Sequence, residues 1–213
     1  MTKKVVLDEM GLSLGDLLKI VYEDYELTLS KTVKKKIQRA REVILKVIKS
    51  GENVYGINTG FGALRDCNIS EKDAEQLQMN LIRSHSSGVG KAAPVEYVKA
   101  MMVLRVSAIA QGYSGCTLNL LENLIQMINK NVIPVVPIQG SVGASGDLAP
   151  LSHMALALIG EGEKNVNYQG EILDAKDALK RAKIPITTLS YKEGLALNNG
   201  TQFSTGIACI VIN

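Results

Sequence analysis

Aromatic side chains are scarce in this sequence: there is no tryptophan, and two phenylalanines and seven tyrosines are spread over 213 residues. Few rings are therefore available to stack on bases. With 24 basic against 21 acidic residues the net charge is only +3, far from the excess that a phosphate backbone selects, so nucleic acid is not an expected partner. Cysteine is scarce too. Cys67, Cys116 and Cys209 are odd in number and widely spaced, and neither they nor the two histidines form a Cys-x-x-Cys or Cys/His ligand pattern. That spacing fits neither a disulfide framework nor a zinc site, and free, mostly buried thiols in a reducing compartment are expected. No apolar run approaches the ~20 residues of a membrane span, and Asp8 and Glu9 stand where a signal peptide needs its apolar core. A cytoplasmic protein with no membrane partner is expected, with no metal.

What the sequence has is helical periodicity and punctuation. The chain is long enough for one large or two small domains with a real core. Ser13 is placed to cap a helix running through Tyr22. Ser30 caps a longer one, with Val33, Ile37, Ala40, Ile44 and Val47 at helical spacing and Gly51 as its stop. The Lys34-Lys35-Lys36 run on that helix reads as a solvated face. Ser70 starts a further helix leading to Arg83-Ser84-His85-Ser86-Ser87-Gly88-Val89-Gly90, a polar stretch read as flexible. From Pro94 to Ala110 the pattern is apolar around most of the circumference, which requires burial on several sides. Another helix follows from about Thr117. Pro134 and Pro137 forbid helix before Gly140. Beyond Leu148 come a helix to Gly160, a hairpin centred on Gln169-Gly170, a short helix over 174–183 and an apolar helix at 207–212.

The chemistry is concentrated in Gly140-Ser141-Val142-Gly143-Ala144-Ser145-Gly146-Asp147-Leu148-Ala149-Pro150. Two readings fit this bare loop. One is a Gly/Ser turn whose Ser145 or Asp147 caps the following helix. The other is a self-cyclising tripeptide. The amide nitrogen of Gly146, the least hindered available, attacks the carbonyl carbon of Ala144, and loss of two waters turns the Ser145 side chain into a methylidene carbon. Small Ala144 lets the loop compress, and Asp147 can shuttle protons.

The stretch GSVGASGDLAPLSHMA at 140–155 resembles the signature of the aromatic amino acid ammonia-lyases, which carry a methylidene-imidazolone (MIO) group made from Ala-Ser-Gly. Further similar blocks occur at 54–62, 81–90 and 193–202. The resemblance implies a mainly α fold with short strands and a small hairpin. Residues 1–110 form an N-terminal helical region with the tyrosine loop and the Ser-His block, and 111–213 an MIO-bearing region that begins a central helical bundle. It implies no external cofactor beyond the MIO from Ala144, Ser145 and Gly146, with Asp147 and Gly62 supporting its formation.

Residue roles follow from the same resemblance. Tyr55, in Tyr55-Gly56-Ile57-Asn58-Thr59-Gly60-Phe61-Gly62, inherits the role of the base that removes a β-proton, on a loop whose glycines suit closure over substrate. Ser84 and His85 resemble the block of the histidine ammonia-lyases, where a histidine can bond an imidazole substrate. Asn199, in Glu193-Gly194-Leu195-Ala196-Leu197-Asn198-Asn199-Gly200-Thr201, matches the asparagine that holds the ring or the substrate amine, while Asn198 stands where relatives often carry an apolar residue. The implied reaction converts L-histidine to trans-urocanate and ammonia. Tyrosine or phenylalanine lyases and MIO aminomutases use the same electrophile. A non-catalytic N-terminal half needing a separate C-terminal partner is a further alternative, and a homotetramer is implied by resemblance. His153 reads as a packing or hydrogen-bonding residue beside the site.

Overall fold

In the computed structural model, which describes residues 3–60, 69–142 and 146–213 (backbone alone at Glu71 and Lys72), serine and threonine caps set the helix starts. Ser13 accepts the Asp16 N–H to open α1 (Leu14–Tyr22), and Ser30 accepts that of Val33 to open α2 (Lys31–Ser50). Ser70 likewise opens α3 (Glu71–His85) through Asp73. After α4 (Val95–Ala110), which begins behind Pro94, Thr117 opens α5 (Leu118–Asn129) through Leu120. Each such bond satisfies a donor that has no partner inside its own helix, worth about 1 kcal/mol. Gly51 ends α2 at φ +74°, a left-handed position that glycine takes without strain.

The core is built around α4. Met101, Met102, Val103, Val106 and Ile109 are at most 1% exposed, and even Lys99 and Arg105 on the same helix are buried. A helix with no polar face is excluded from the surface, so its neighbours α1, α2 and α5 are recruited to cover it. Burying each of its large apolar side chains contributes roughly 1.5–3 kcal/mol.

Strands are short and serve as clips. β1 (Lys4–Leu7) pairs in parallel with β2 (Glu26–Leu29), and the Asn129 side chain at the end of α5 both accepts from the Leu27 N–H (2.8 Å) and donates to its carbonyl (3.0 Å). β3 (Val89–Ala92) runs antiparallel to β5 (Pro137–Gln139), while β4 (Ile133–Pro134) joins the hairpin of β6 (Val166–Tyr168) and β7 (Glu171–Leu173). The hairpin turns at Gln169-Gly170, both at positive φ. The remaining described elements are helices: α6 (Leu148–Leu158), α7 (Ala175–Arg181), α8 (Glu193–Asn198) and α9 (Gln202–Ile212). α9 lies along α4 so closely that a Cβ at Gly206 would sit 3.0 Å from the Met101 nitrogen.

The mainly α fold class expected from the sequence is the one observed. Three elements differ from that reading. β2 and β3 were not anticipated, α8 occupies a block for which no helix was expected, and the stretch read as flexible begins inside α3 and ends as β3.

Candidate active site

Of the tripeptide Ala144-Ser145-Gly146, only Gly146 falls among the described residues; Ala144, Ser145 and Gly62 lie outside them. Gly146 sits at φ +112°, and a Cβ there would lie 2.4 Å from the carbonyl oxygen of Gly200. The Asp147 N–H donates to that same oxygen at 2.6 Å. Only glycine allows such an approach of two backbones.

Asp147 is 2% exposed. Its side chain makes no bond to the helix it precedes, so the capping role open to it on sequence grounds is not the one it takes. Oδ1 accepts from the hydroxyls of Ser141 and Ser204, both at 2.7 Å, and Oδ2 accepts from the Ser204 N–H at 2.8 Å. Three donors on a buried carboxylate offset its desolvation and fix its position.

Next to Gly146 lies a cavity of about 180 Å³ lined by Ser84, His85, Ser87, Gly140, Val142 and Leu148, among others. The structure thus brings the Ser-His block beside Gly140, Gly146 and the start of α6. At His85 the Nδ1 is 2.9 Å from the Leu81 carbonyl and 3.0 Å from Ser84 Oγ, whose own hydroxyl donates to Leu81. A carbonyl can only accept, so Nδ1 is the donor here, and in the neutral ring Nε2 is the nitrogen with the lone pair. A larger cavity of about 440 Å³, walled by Leu45, Ile48, Ala74, Leu189 and Tyr191, contains none of the residues assigned to chemistry.

Tyr55 and Asn199 do not line the smaller cavity; both are exposed and are related to one another through α8. Gly56, beside Tyr55, abuts α8, since a Cβ there would meet Leu195 Cδ2 at 2.9 Å. The loop that carries Tyr55 is also pinned. Asn58, 5% exposed, accepts from the Val54 N–H (2.9 Å) and donates to the Glu52 carbonyl (2.8 Å). Asn199 ends α8, its N–H bonded to the Leu195 carbonyl.

Sequence reasoning passed over the residues that hold α8. Gln78 of α3 accepts the Gly194 N–H at 2.8 Å, and the buried Glu193 accepts from the N–H groups of Thr117 and Ser190, both at 2.7 Å. Arg105 of α4 donates to the Ala196 carbonyl and to Gln202 Oε1, and burial pushes its guanidinium down to about 10. Asn198, fully buried, donates to Ser152 Oγ of α6 at 3.2 Å. The one advance signal was Asn198 itself, a polar residue directly after Leu195-Ala196-Leu197, where relatives often carry an apolar one.

His153 acts as the hydrogen-bonding residue expected of it. Its Nε2 accepts the Gly88 N–H at 3.1 Å, which ties the segment after the Ser-His block to α6. Burial holds its pKa below the ordinary imidazole value of about 6.5. The unfolded chain therefore takes up this proton before the folded one does. The stability that neutral His153 contributes is complete above about pH 6.5 and is lost as pH falls through the lower folded value. In urea melts between pH 7.5 and 5, the parent is expected to lose more stability than His153→Gln, whose carbonyl can accept the same N–H without titrating. Equal losses would contradict this assignment.

A family model for aromatic amino acid lyases matches residues 12–213. The histidine ammonia-lyase of Caldanaerobacter subterraneus subsp. tengcongensis is 50% identical over 208 residues, covering 98% of this chain and 41% of that protein. Among solved structures, histidine ammonia-lyase from Trypanosoma cruzi matches with a TM-score of 0.89 at 37% identity, over 98% of this chain and 40% of the other. The ergothioneine-degrading enzyme ergothionase from Treponema denticola matches at 0.93 and 30% identity, over 99% and 42%. The chain spans about two-fifths of the length of these relatives. Matched by the family model from residue 12 to residue 213, and sharing its helical fold with these solved structures, this chain belongs to the aromatic amino acid lyase family.

Proposed function

We propose that this chain carries the electrophile-forming part of a histidine ammonia-lyase, which removes ammonia from L-histidine without oxidation to give trans-urocanate. The observation that carries the reading is the cavity that sets Ser84 and His85 beside Gly146. The residues present fit an MIO group: Gly146 has the bare backbone contact that ring closure needs, and Asp147 is a buried, three-fold bonded anchor at its edge. When formed, the ring supplies the electron sink, so no external cofactor is called for.

The chain's own residues would divide the remaining work. His85, with Nδ1 committed to Leu81, presents Nε2 to accept the imidazole N–H of the substrate. Tyr55 takes the β-proton as general base, from a turn seated on α8. Asn199 at the end of α8 offers its side-chain carbonyl to the substrate ammonium. Because the chain spans 41% of its Caldanaerobacter relative, the site is proposed to be completed by further residues, supplied by a longer chain, a separate C-terminal half or another copy in a homotetramer.

The test is a panel assay. L-Histidine, L-phenylalanine and L-tyrosine are each supplied, and ammonia and the unsaturated acid are measured. Urocanate from histidine alone is the expected product, whereas cinnamate, coumarate or a β-amino acid would move the assignment to the other lyases or to the aminomutases. Tyr55→Phe is expected to lower kcat by about 10²–10⁴, the range of a lost general base. His85→Leu is expected to raise KM for histidine more than it lowers kcat.

A further inference from the structure

The first turn of α9 makes contacts that the reaction itself does not require. Thr201 stands at the N-cap of this helix, yet its side chain makes no capping bond. The cap comes from elsewhere in the chain. Asp147 Oδ2 accepts the Ser204 N–H, one of the donors the helix cannot satisfy internally, and Oδ1 accepts the Ser204 hydroxyl. A carboxylate at a helix N-terminus is also favoured by the helix dipole. The same Oδ1 receives Ser141 Oγ, so the residues flanking the 142–146 segment are held to each other across it. Gly200, just before α9, receives the Asp147 N–H and lies against Gly146. α9 is in turn braced on the core, with Gly206 against Met101 and Ala100 of α4.

We infer that Ser204 is a positioning residue for ring closure: with the Gly200 carbonyl it makes the start of α9 a template that holds Gly146 and Asp147 in place. The inference rests on the proposed reading of Ala144-Ser145-Gly146 as a ring precursor. In that closure the Gly146 nitrogen bonds to the Ala144 carbonyl carbon. The Ala144 oxygen leaves as water with the hydrogens of the Gly146 and Ser145 amides. The Ser145 hydroxyl leaves as a second water with the Ser145 Cα hydrogen, and neither an oxidant nor a reductant is needed. A loop whose ends are fixed has already lost the conformational freedom that closure would otherwise remove. Ser204 acts through Asp147, whose carboxylate it holds by two hydrogen bonds.

The experiment follows the loss of two waters by intact mass after cell-free synthesis of the parent chain, Ser204→Ala and Ser204→Thr. Ser204→Ala keeps the N–H but loses the hydroxyl donor. It is expected to form the ring about ten-fold to a hundred-fold more slowly, the factor of one hydrogen bond to a charged acceptor. Ser204→Thr restores the hydroxyl and the rate, which a general packing defect would not. A second readout does not need the ring. In a Ser145→Ala background, hydrogen exchange at the Asp147 amide is expected to be faster with Ser204→Ala than with Ser204 or Ser204→Thr. Parental dehydration rates in Ser204→Ala overturn the inference. Should the parent chain itself lose no water, the ring reading fails, and the exchange comparison alone decides whether Ser204 holds the loop: equal exchange overturns the clamp.

Discussion

Alanine in place of Gly146 is expected to cost the fold about 3 kcal/mol or more and to prevent loss of water from the chain, whereas alanine in place of Gly170 costs only about 1–2 kcal/mol and leaves dehydration intact. The two glycines isolate two effects. Both have positive φ, +112° and +82°, so both substitutions incur left-handed backbone strain. At Gly170 nothing lies within 4 Å of the added methyl group. At Gly146 the methyl would lie 2.4 Å from the Gly200 oxygen, 2.8 Å from its carbonyl carbon and 3.0 Å from its nitrogen. Those are backbone atoms, held by the Asp147 N–H, and they cannot rotate aside as a side chain would. Urea melts and intact masses of the two variants make the comparison. Equal destabilisation would mean that the Gly146–Gly200 contact is not a feature of the folded chain.

Glu193→Ala is the second large effect, at about 3–5 kcal/mol. The side chain is 1% exposed, and its carboxylate accepts two backbone N–H groups, those of Thr117 and Ser190. Hydrogen bonds to a charged acceptor contribute about 1.5–3 kcal/mol each, and alanine leaves both donors buried without partners. Glu193→Gln keeps one carbonyl acceptor but points an amide donor at the other N–H, so roughly half the loss is expected. The consequence reaches the site. Thr117 is the cap of α5, so Glu193 fixes the start of α8 to that helix, and Asn199 sits at the other end of α8. Denaturant midpoints test the stability claim, and a Glu193→Ala loss below about 1 kcal/mol would contradict it.

What could be read from the sequence was what is local. Ser13, Ser30, Ser70 and Thr117 bond N–H groups three residues on, so each helix start is encoded in a short window and each lies where the sequence places it. The hairpin at Gln169-Gly170 is local for the same reason. β3 has an all-exposed pattern and exists through β5, which lies far along the chain, so no window could reveal it. α8 is six residues with an internal glycine, too short for a period to show, and it is held by Gln78, Glu193 and Arg105 from or to other elements. Asp147 is the instructive case. Its place before an apolar run suits a cap of the following helix, yet tertiary structure presents it with Ser204 and it caps α9 instead. Ser204 itself carries no signal that a sequence could show, because its role is defined only by the partner that folding supplies.

The central claim is that Ala144-Ser145-Gly146 becomes the electrophile. Intact mass of the purified chain, followed by peptide mapping across 140–155, tests it most directly. The account predicts a chain lighter by two water molecules, with the whole loss on the peptide that contains these three residues. A folded chain whose 140–155 peptide has its full unmodified mass would contradict it.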